Sequence, residues 1–188
     1  MAFWTEVTAD TKDPKRQFRF TLQITGFGTG LIWFAKKVNK PSFTISETPH
    51  KYLNHTFYYP GKLEWNTITA TLVDPVDPDV AATVSDLVRM AGYSPPGTPD
   101  ETSTMSKGKS VGSLQDVIIT QIDGDGAFVE KWTLKNAWVK DIKYGDLDYD
   151  GDDMTLVDIE LRYDWAVCET SIGSSVSANT KFFSLDGA

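Results

Sequence analysis

The chain has 188 residues, of which 40% are hydrophobic, and its 18 Lys and Arg stand against 26 Asp and Glu for a formal charge of -8. This length allows one sizeable core but is short for two independent domains. The acidic balance, without a run of basic residues, excludes a surface that grips nucleic acid, and the single Cys168 excludes an internal disulfide, a redox cysteine pair and a thiolate zinc site.

The chain is expected to be soluble and to reside in a reducing cytosol. Its start, "MAFWTEVTADTKDPKRQ", has acids before any apolar run and no small-residue cleavage site, and no 18 apolar residues follow one another. We therefore expect neither a secretion signal nor a stable association with a membrane.

The first predicted elements are strands. Alternation in "FRFTLQI" predicts a half-buried strand over 18–24, and the glycines of "GFGTG" end it. Because no helix follows these glycines, they do not fit the fingerprint of a phosphate-binding loop. Extended structure resumes over 31–38. The segment "NHTFYYPGKLEWNTITATLV" then predicts two strands joined by a type II turn at Pro60-Gly61.

One helix is predicted, over about 79–91, where apolar residues recur at helical spacing and indicate packing on a sheet. Asp77 is the expected cap, Pro78 suits the first helical position, and Gly92 suits a left-handed C-terminal residue. The Ser-, Pro- and charge-rich segment over about 94–112 cannot build a core and is predicted to be a long loop, either mobile or ordered by a partner.

Two further strands are predicted over 115–122 and 129–136. The Asp-Gly pairs at 123–126, between them, predict a hairpin turn. The clearest strand is predicted over 156–167. Its expected core face consists of Val157, Ile159, Leu161, Tyr163, Trp165 and Val167. The remaining residues, 168–188, read as an extended C-terminal arm with an apolar anchor at Phe182-Phe183.

The acidic stretch "YGDLDYDGDDM" raises the question of a metal site. Asp146, Asp148, Asp150 and Gly151 occupy the first, third, fifth and sixth positions of an EF-hand loop, but Val157 stands where the bidentate Glu belongs. The flanking segments are extended rather than helical. We therefore predict a solvated turn between strands, with a weak adventitious cation site as the alternative.

No residue is assigned to catalysis, to a cofactor or to a metal, and the chain is not predicted to be an enzyme. His50 and His55 could join Glu47 in a metal site or act as a base, but two histidines without a nearby cysteine favour neither role. No Ser or Cys has a base and an orienting group in its sequence context.

Residues 42–80, "SFTISETPHKYLNHTFYYPGKLEWNTITATLVDPVDPDV", resemble the tail tube proteins of contractile-tailed bacteriophages. The matching residues are His50, Lys51, Tyr52, Leu53, Asn54, His55, Tyr58, Tyr59, Pro60, Gly61 and Trp65. The closing segment "YGDLDYDGDDMTLVDIELRYDWA" resembles the same family. Together the matches touch most of 18–167, and the family is related to the tubes of type VI secretion and of contractile bacteriocins.

The resemblance implies a mainly β, single-domain, sandwich- or barrel-like fold at 18–167 with one flanking α-helix, between arms at 1–17 and 168–188. It also implies hexameric rings that stack into a tube, with inner sheets fused into a continuous β-barrel channel. The implied partners are further copies of the chain, the contractile sheath, the baseplate, a tape-measure protein and phage DNA passing without sequence-specific binding. The location would be the virion tail, after assembly in the host cytoplasm, and no cofactor is implied.

In the resembling family, hairpins supply the channel wall. Two hairpins with a mixed polar face are predicted here, 31–38 with 54–59 and 115–122 with 129–136. The expected channel-lining residues lie on the second, at Gln121, Lys131, Thr133 and Lys135.

Two other functions stay open. The Trp count and the acidic loops allow a calcium-dependent carbohydrate-binding β-sandwich, although Trp65, Trp132 and Trp165 are more economically placed in a core. The third is a small hydrolase with a carboxylate pair, for which no focused motif exists. The kind of particle, whether phage, secretion system or bacteriocin, also stays open.

Overall fold

The computed structural model describes residues 14–28, 34–98, 102–173 and 179–185. Its helices are α1 (Val80–Met90) and α2 (Lys107–Leu114). Its strands are β1 (Phe20–Ile24), β2 (Ala35–Val38), β3 (Phe43–Tyr52), β4 (His55–Trp65), β5 (Ile68–Val73), β6 (Val117–Ile122), β7 (Phe128–Lys135), β8 (Trp138–Lys143), β9 (Leu156–Arg162), β10 (Trp165–Thr170) and β11 (Lys181–Phe182).

Two antiparallel sheets form the body. Sheet A has the strand order β1-β6-β7-β10-β11, and sheet B has the order β2-β5-β9-β8. One cluster of buried residues joins them, with Leu22, Ile119 and Leu134 from sheet A and Leu72 and Ile159 from sheet B. The predicted mainly β class is confirmed.

Helix α1 lies where the sequence predicted a helix, but its cap differs. The Asp79 carboxylate accepts a hydrogen bond from the Ala82 amide at 2.7 Å, so Asp79 rather than Asp77 caps the helix. Gly92 follows the helix with φ of +102°, as expected for a left-handed C-terminal residue. Val80, Val84 and Leu87 of the apolar stripe are buried in the core.

The predicted loop over 94–112 is wrong at its end, because α2 begins at Lys107. The Ser106 hydroxyl caps this helix, and the hydroxyls of Ser110 and Ser113 donate to backbone carbonyls within it at 2.9 and 2.8 Å. These bonds let two small polar residues be buried without unpaired groups. Leu114 anchors the helix in the core at 1% exposure, so the fold has a second helix.

The predicted strand over 156–167 is two strands in different sheets, β9 in sheet B and β10 in sheet A, which meet at a corner formed by Tyr163 and Asp164. Two hydrogen bonds stabilise this corner. Lys107 and Asn136 each donate to the Asp164 carboxylate, with closest distances of 2.7 Å. The alternation changes phase there. Ala166 and Cys168 are buried while Trp165 and Val167 are half-buried, so the predicted core face is wrong for those last two residues.

Candidate assembly surfaces

Strands β3 and β4 form a two-stranded sheet of their own (residues 43–65). From here on, the arm means this sheet and not the terminal segments 1–17 and 168–188. All ten residues of β3 are exposed, and in β4 only Thr56, which is half-buried, and Trp65, which is buried, are not. The turn between the strands lies at Leu53-Asn54, where Leu53 has φ of +48°. The predicted turn at Pro60-Gly61 is therefore wrong, and of the predicted strand 54–59, residues 55–59 pair within the arm rather than with 31–38.

A bulge at Gly61 and Lys62 instead follows Pro60 within β4. The pairing passes from Ile45–Leu63 to Glu47–Pro60, so two residues of β4 stand opposite the single Ser46. A Cβ on Gly61 would lie 2.3 Å from the Ser46 hydroxyl oxygen, which itself accepts a hydrogen bond from the Lys62 amide at 2.9 Å. Pro60, which has no N–H for a regular ladder, pairs with Glu47 directly before this bulge.

The arm exposes large apolar side chains on both of its faces, among polar ones. Residues directly opposite in an antiparallel pair point to the same face. Because side chains also alternate along a strand, Tyr59 shares one face with Phe57, and Tyr58 lies on the other. Leu63 shares the face of Tyr58, since their partners Ile45 and Pro49 lie on one face of β3. Tyr58 and Tyr59 are 63% and 57% exposed. Such a sheet leaves apolar surface uncovered on both sides, which is characteristic of a segment that contacts other protein.

Of the residues that carry the resemblance, all but Trp65 lie on the exposed part of the arm. Trp65 is 8% exposed at the root of the arm. Its ring packs against three other aromatic rings, with centroid distances of 5.3 Å to Phe43, 5.9 Å to Tyr163 and 5.4 Å to Phe183. This aromatic cluster fixes the base of the arm to the body.

A buried carboxylate joins the chain preceding the arm to sheet A. Glu130 accepts hydrogen bonds from Lys40 and from the Trp132 indole, both at 2.6 Å, and a further bond from Lys15. Burial opposes ionisation of Glu130, but these three donors outweigh it and lower its pKa to about 2. Sequence reasoning missed this cluster, because its members are far apart along the chain and none belongs to a motif.

The four residues expected to line a channel do not share one face. Strands β6 and β7 pair as expected, and Lys131, Thr133 and Lys135 share the face of sheet A that points away from the core. Gln121 lies on the opposite face at 9% exposure, where its side-chain oxygen accepts a hydrogen bond from Lys40 at 2.7 Å. Its expected position beside the other three is therefore wrong.

The segment 31–38, which the sequence predicts to form a hairpin with 54–59, also pairs with a different strand. Residues 31–33 lie outside the described part of the chain, and β2 pairs with β5 of sheet B. On the outward face of sheet A, the Lys131 ammonium lies 2.6 Å from the Glu169 carboxylate. The hydrogen bond from Lys131 lowers the pKa of Glu169, so an acid offsets the charge of Lys131 on this face.

The acidic loop is a solvated connection between β8 and β9. Asp146, Asp148 and Asp150 are exposed, and the Asp148 carboxylate accepts a hydrogen bond from the Asp150 amide at 3.1 Å. This geometry is that of an aspartate-stabilised turn. Among the described residues, no three His, Cys, Asp or Glu side chains are grouped closely enough to hold a metal ion. His50 and His55 lie on the arm, where the His55 ring packs on Phe57 at 4.7 Å.

Removal of calcium is expected to leave the melting temperature unchanged within about 2 °C, because Val157 occupies the position of the bidentate acid and is buried in the core. The measurement is a thermal melt with and without chelator, alongside Asp148→Asn as a control that keeps an acceptor for the turn. A drop of more than about 10 °C with chelator would contradict this prediction.

No protein-family model and no curated protein matches the sequence. Solved structures do resemble the fold. A chain of the cap that terminates the tube of the anti-feeding prophage has a TM-score of 0.62 at 13% identity, over 91% of this chain and all of that chain. A chain of the baseplate of the same prophage, reconstructed with six-fold symmetry, has a TM-score of 0.61 at 14% identity, over 85% and 97% of the two chains.

A third structure is the sheath-tube complex of an extracellular contractile injection system, PVC, in its extended state. One of its chains has a TM-score of 0.56 at 18% identity, over 84% of this chain and 92% of that chain. These neighbours share the fold of this chain and match the resemblance read from residues 42–80. Within the described residues, no helix has the length and apolar character needed to cross a membrane.

Proposed function

We propose that this chain is a structural tube subunit of a contractile, tail-like particle and that it works without catalysis. The observation that carries the proposal is the arm, which exposes large apolar side chains on both of its faces. A second copy of the chain on each side of the arm would cover both faces, as stacked rings of identical subunits allow. The resemblance of the fold to chains from tube-cap, baseplate and sheath-tube structures supports this reading.

The outward face of sheet A is the proposed channel wall. It carries the polar residues Lys131, Thr133, Lys135 and Glu169, with Ile118, Val167 and Trp165 between them, so it is mixed in charge and partly apolar. The opposite face of the sheet is committed to the core. A ring that joins neighbouring copies of sheet A edge to edge would close these faces around a central space.

The finer proposal is a phage tail tube of stacked hexameric rings, enclosed by a contractile sheath and bound to a baseplate, with a tape-measure protein setting its length. The virion tail would then be its location, after assembly in the host cytoplasm. Phage DNA would pass through the channel during ejection without specific binding. A net charge of -8 on each subunit suits such passage, because a basic channel would bind phosphates and stall it.

The calcium-dependent carbohydrate module finds less support. Trp65 is buried in the aromatic cluster, and the Asp148 carboxylate is bonded to its own turn.

Electron microscopy of the purified protein tests the proposal, with rings and tubes as the expected result. Within tubes, Lys131→Cys and Thr133→Cys in a Cys168→Ser background should resist a thiol reagent too bulky to enter the channel, and both should react in the free subunit. Tyr149→Cys is the matched control, since Tyr149 is fully exposed on the acidic loop and should react in both states. A protein that stays monomeric at every concentration would overturn the tube function, and rapid labelling at 131 and 133 in intact tubes would overturn the channel assignment alone.

A further inference from the structure

The last strand of sheet A is unusually short. Strand β11 has two residues and pairs only with Cys168 and Glu169 of β10, with one further hydrogen bond from the Thr170 amide to the Thr180 carbonyl at 2.8 Å. Within the described residues, no strand pairs with 165–167 on the side of β10 away from β7. The edge of β10 is therefore half covered, while β1 is the opposite edge of the same sheet.

Strand directions decide how two copies of sheet A can join. Every pairing in the sheet is antiparallel, so β1, β7 and β11 run one way while β6 and β10 run the other. Rotation about a ring axis preserves strand direction along that axis. The β1 strand of a second copy would therefore run antiparallel to β10 but parallel to β11, and antiparallel pairing is the more stable per residue.

We propose that β11 and the β1 strand of a second copy compete for the same place beside β10, where both run in the same direction. In the assembled ring, β1 of the second copy takes this place and β11 is displaced. This inference rests on the proposed tube function. Strand β1 offers five residues to the six of β10, whereas β11 offers two. The two strands also place an apolar residue on the core-facing side. Phe182 of β11 lies opposite Cys168 and points toward the core with it, and Leu22 of β1 points toward the core with its partner Ile119.

Phe183 anchors the segment that contains β11, and this anchor is weak. Phe183 has φ of +61°, a backbone conformation that is costly for a bulky side chain. Its ring packs on Trp65 and on Phe43, at 5.4 and 5.8 Å, yet Phe183 stays 46% exposed. In the free subunit this segment shields part of an open sheet edge that would otherwise pair with other chains without control.

Phe182→Cys tests the inference, because position 182 lies directly opposite the native Cys168. Opposed residues of an antiparallel pair have Cα atoms about 4.5–5.5 Å apart, within the range that a disulfide spans. Oxidation would lock β11 onto β10. The oxidised protein is expected to lose ring formation and to stay as single subunits by electron microscopy, and reduction is expected to restore the rings.

Phe182→Cys in a Cys168→Ser background is the matched control, which cannot be locked and should assemble under both conditions. Phe183→Ser works in the opposite direction: with the anchor weakened, rings should form at a lower protein concentration than for the wild type. Oxidised Phe182→Cys that assembles as well as its reduced form would overturn the inference and leave the tube function standing. So would failure of the disulfide to form, or a higher concentration requirement for Phe183→Ser. Absence of rings from the wild type would overturn the tube function itself.

Discussion

Replacing Phe57 and Tyr59 together with serine is expected to abolish rings and tubes while the melting temperature of the free subunit stays within about 2 °C of the wild type. Both side chains point to the same face of the arm. They are largely exposed in the subunit, so their removal costs the fold little. In a ring they would be buried against another copy, and large aromatic residues dominate the binding energy of such contacts.

The measurements are electron microscopy for assembly and a thermal melt for the subunit. Tyr149→Ser is the matched control, because this tyrosine is also exposed but lies on the acidic loop and not on the arm. It should assemble like the wild type. Normal tubes from the double variant would show that this face of the arm stays in solvent.

The second large effect concerns the buried carboxylate. Glu130→Gln is expected to lower the free energy of unfolding at pH 7 by about 1–3 kcal/mol, because the charge that receives three hydrogen bonds is lost. The pKa of Glu130 is lowered from 4.5 to about 2 in the folded protein. Its stabilising contribution is therefore fully present above about pH 4.5 and is lost as the pH falls toward 2. The wild type and the variant should converge over that interval.

Urea unfolding between pH 7 and pH 2.5 measures this convergence. Glu169→Gln is the matched control, since its ion pair with Lys131 is also short but lies at the surface. Exposed pairs contribute about 0–1 kcal/mol, so this variant should change stability little at any pH. A difference between Glu130→Gln and the wild type that stays constant down to pH 2.5 would show that the carboxylate charge is not the cause.

Local signals were read correctly where local chemistry determines the structure. The Asp123 carboxylate accepts bonds from the amides of Asp125 and Ala127, both at 2.9 Å, so the Asp-Gly turn between β6 and β7 is contained within its own few residues. The stripe of α1 likewise depends on helical spacing alone. The apolar anchor at Phe182-Phe183 was also visible, although its contact with Trp65 was not.

Features set by distant partners were missed. Pro60-Gly61 has the composition of a turn, but the length of the pairing with β3 places it at a bulge and moves the turn to Leu53-Asn54. The alternation over 156–167 gives no sign of its phase change, because the corner depends on Lys107 and Asn136 from other elements. Gln121 is polar on a core face, and its position there depends on two distant partners: its side-chain oxygen accepts from Lys40, and its amide nitrogen donates to the Arg16 carbonyl.

The corner at Tyr163 and Asp164 makes one uninterrupted length of chain belong to both sheets. A load applied along β10 reaches β9 through covalent bonds, and β9 passes it to β5 and β8 through ladders on both of its sides. Trp65 packs on Tyr163 at this corner, so a push on the arm enters the body at the point where the sheets are tied together. A load on the arm would therefore reach both sheets through this corner as well as through the core that joins them.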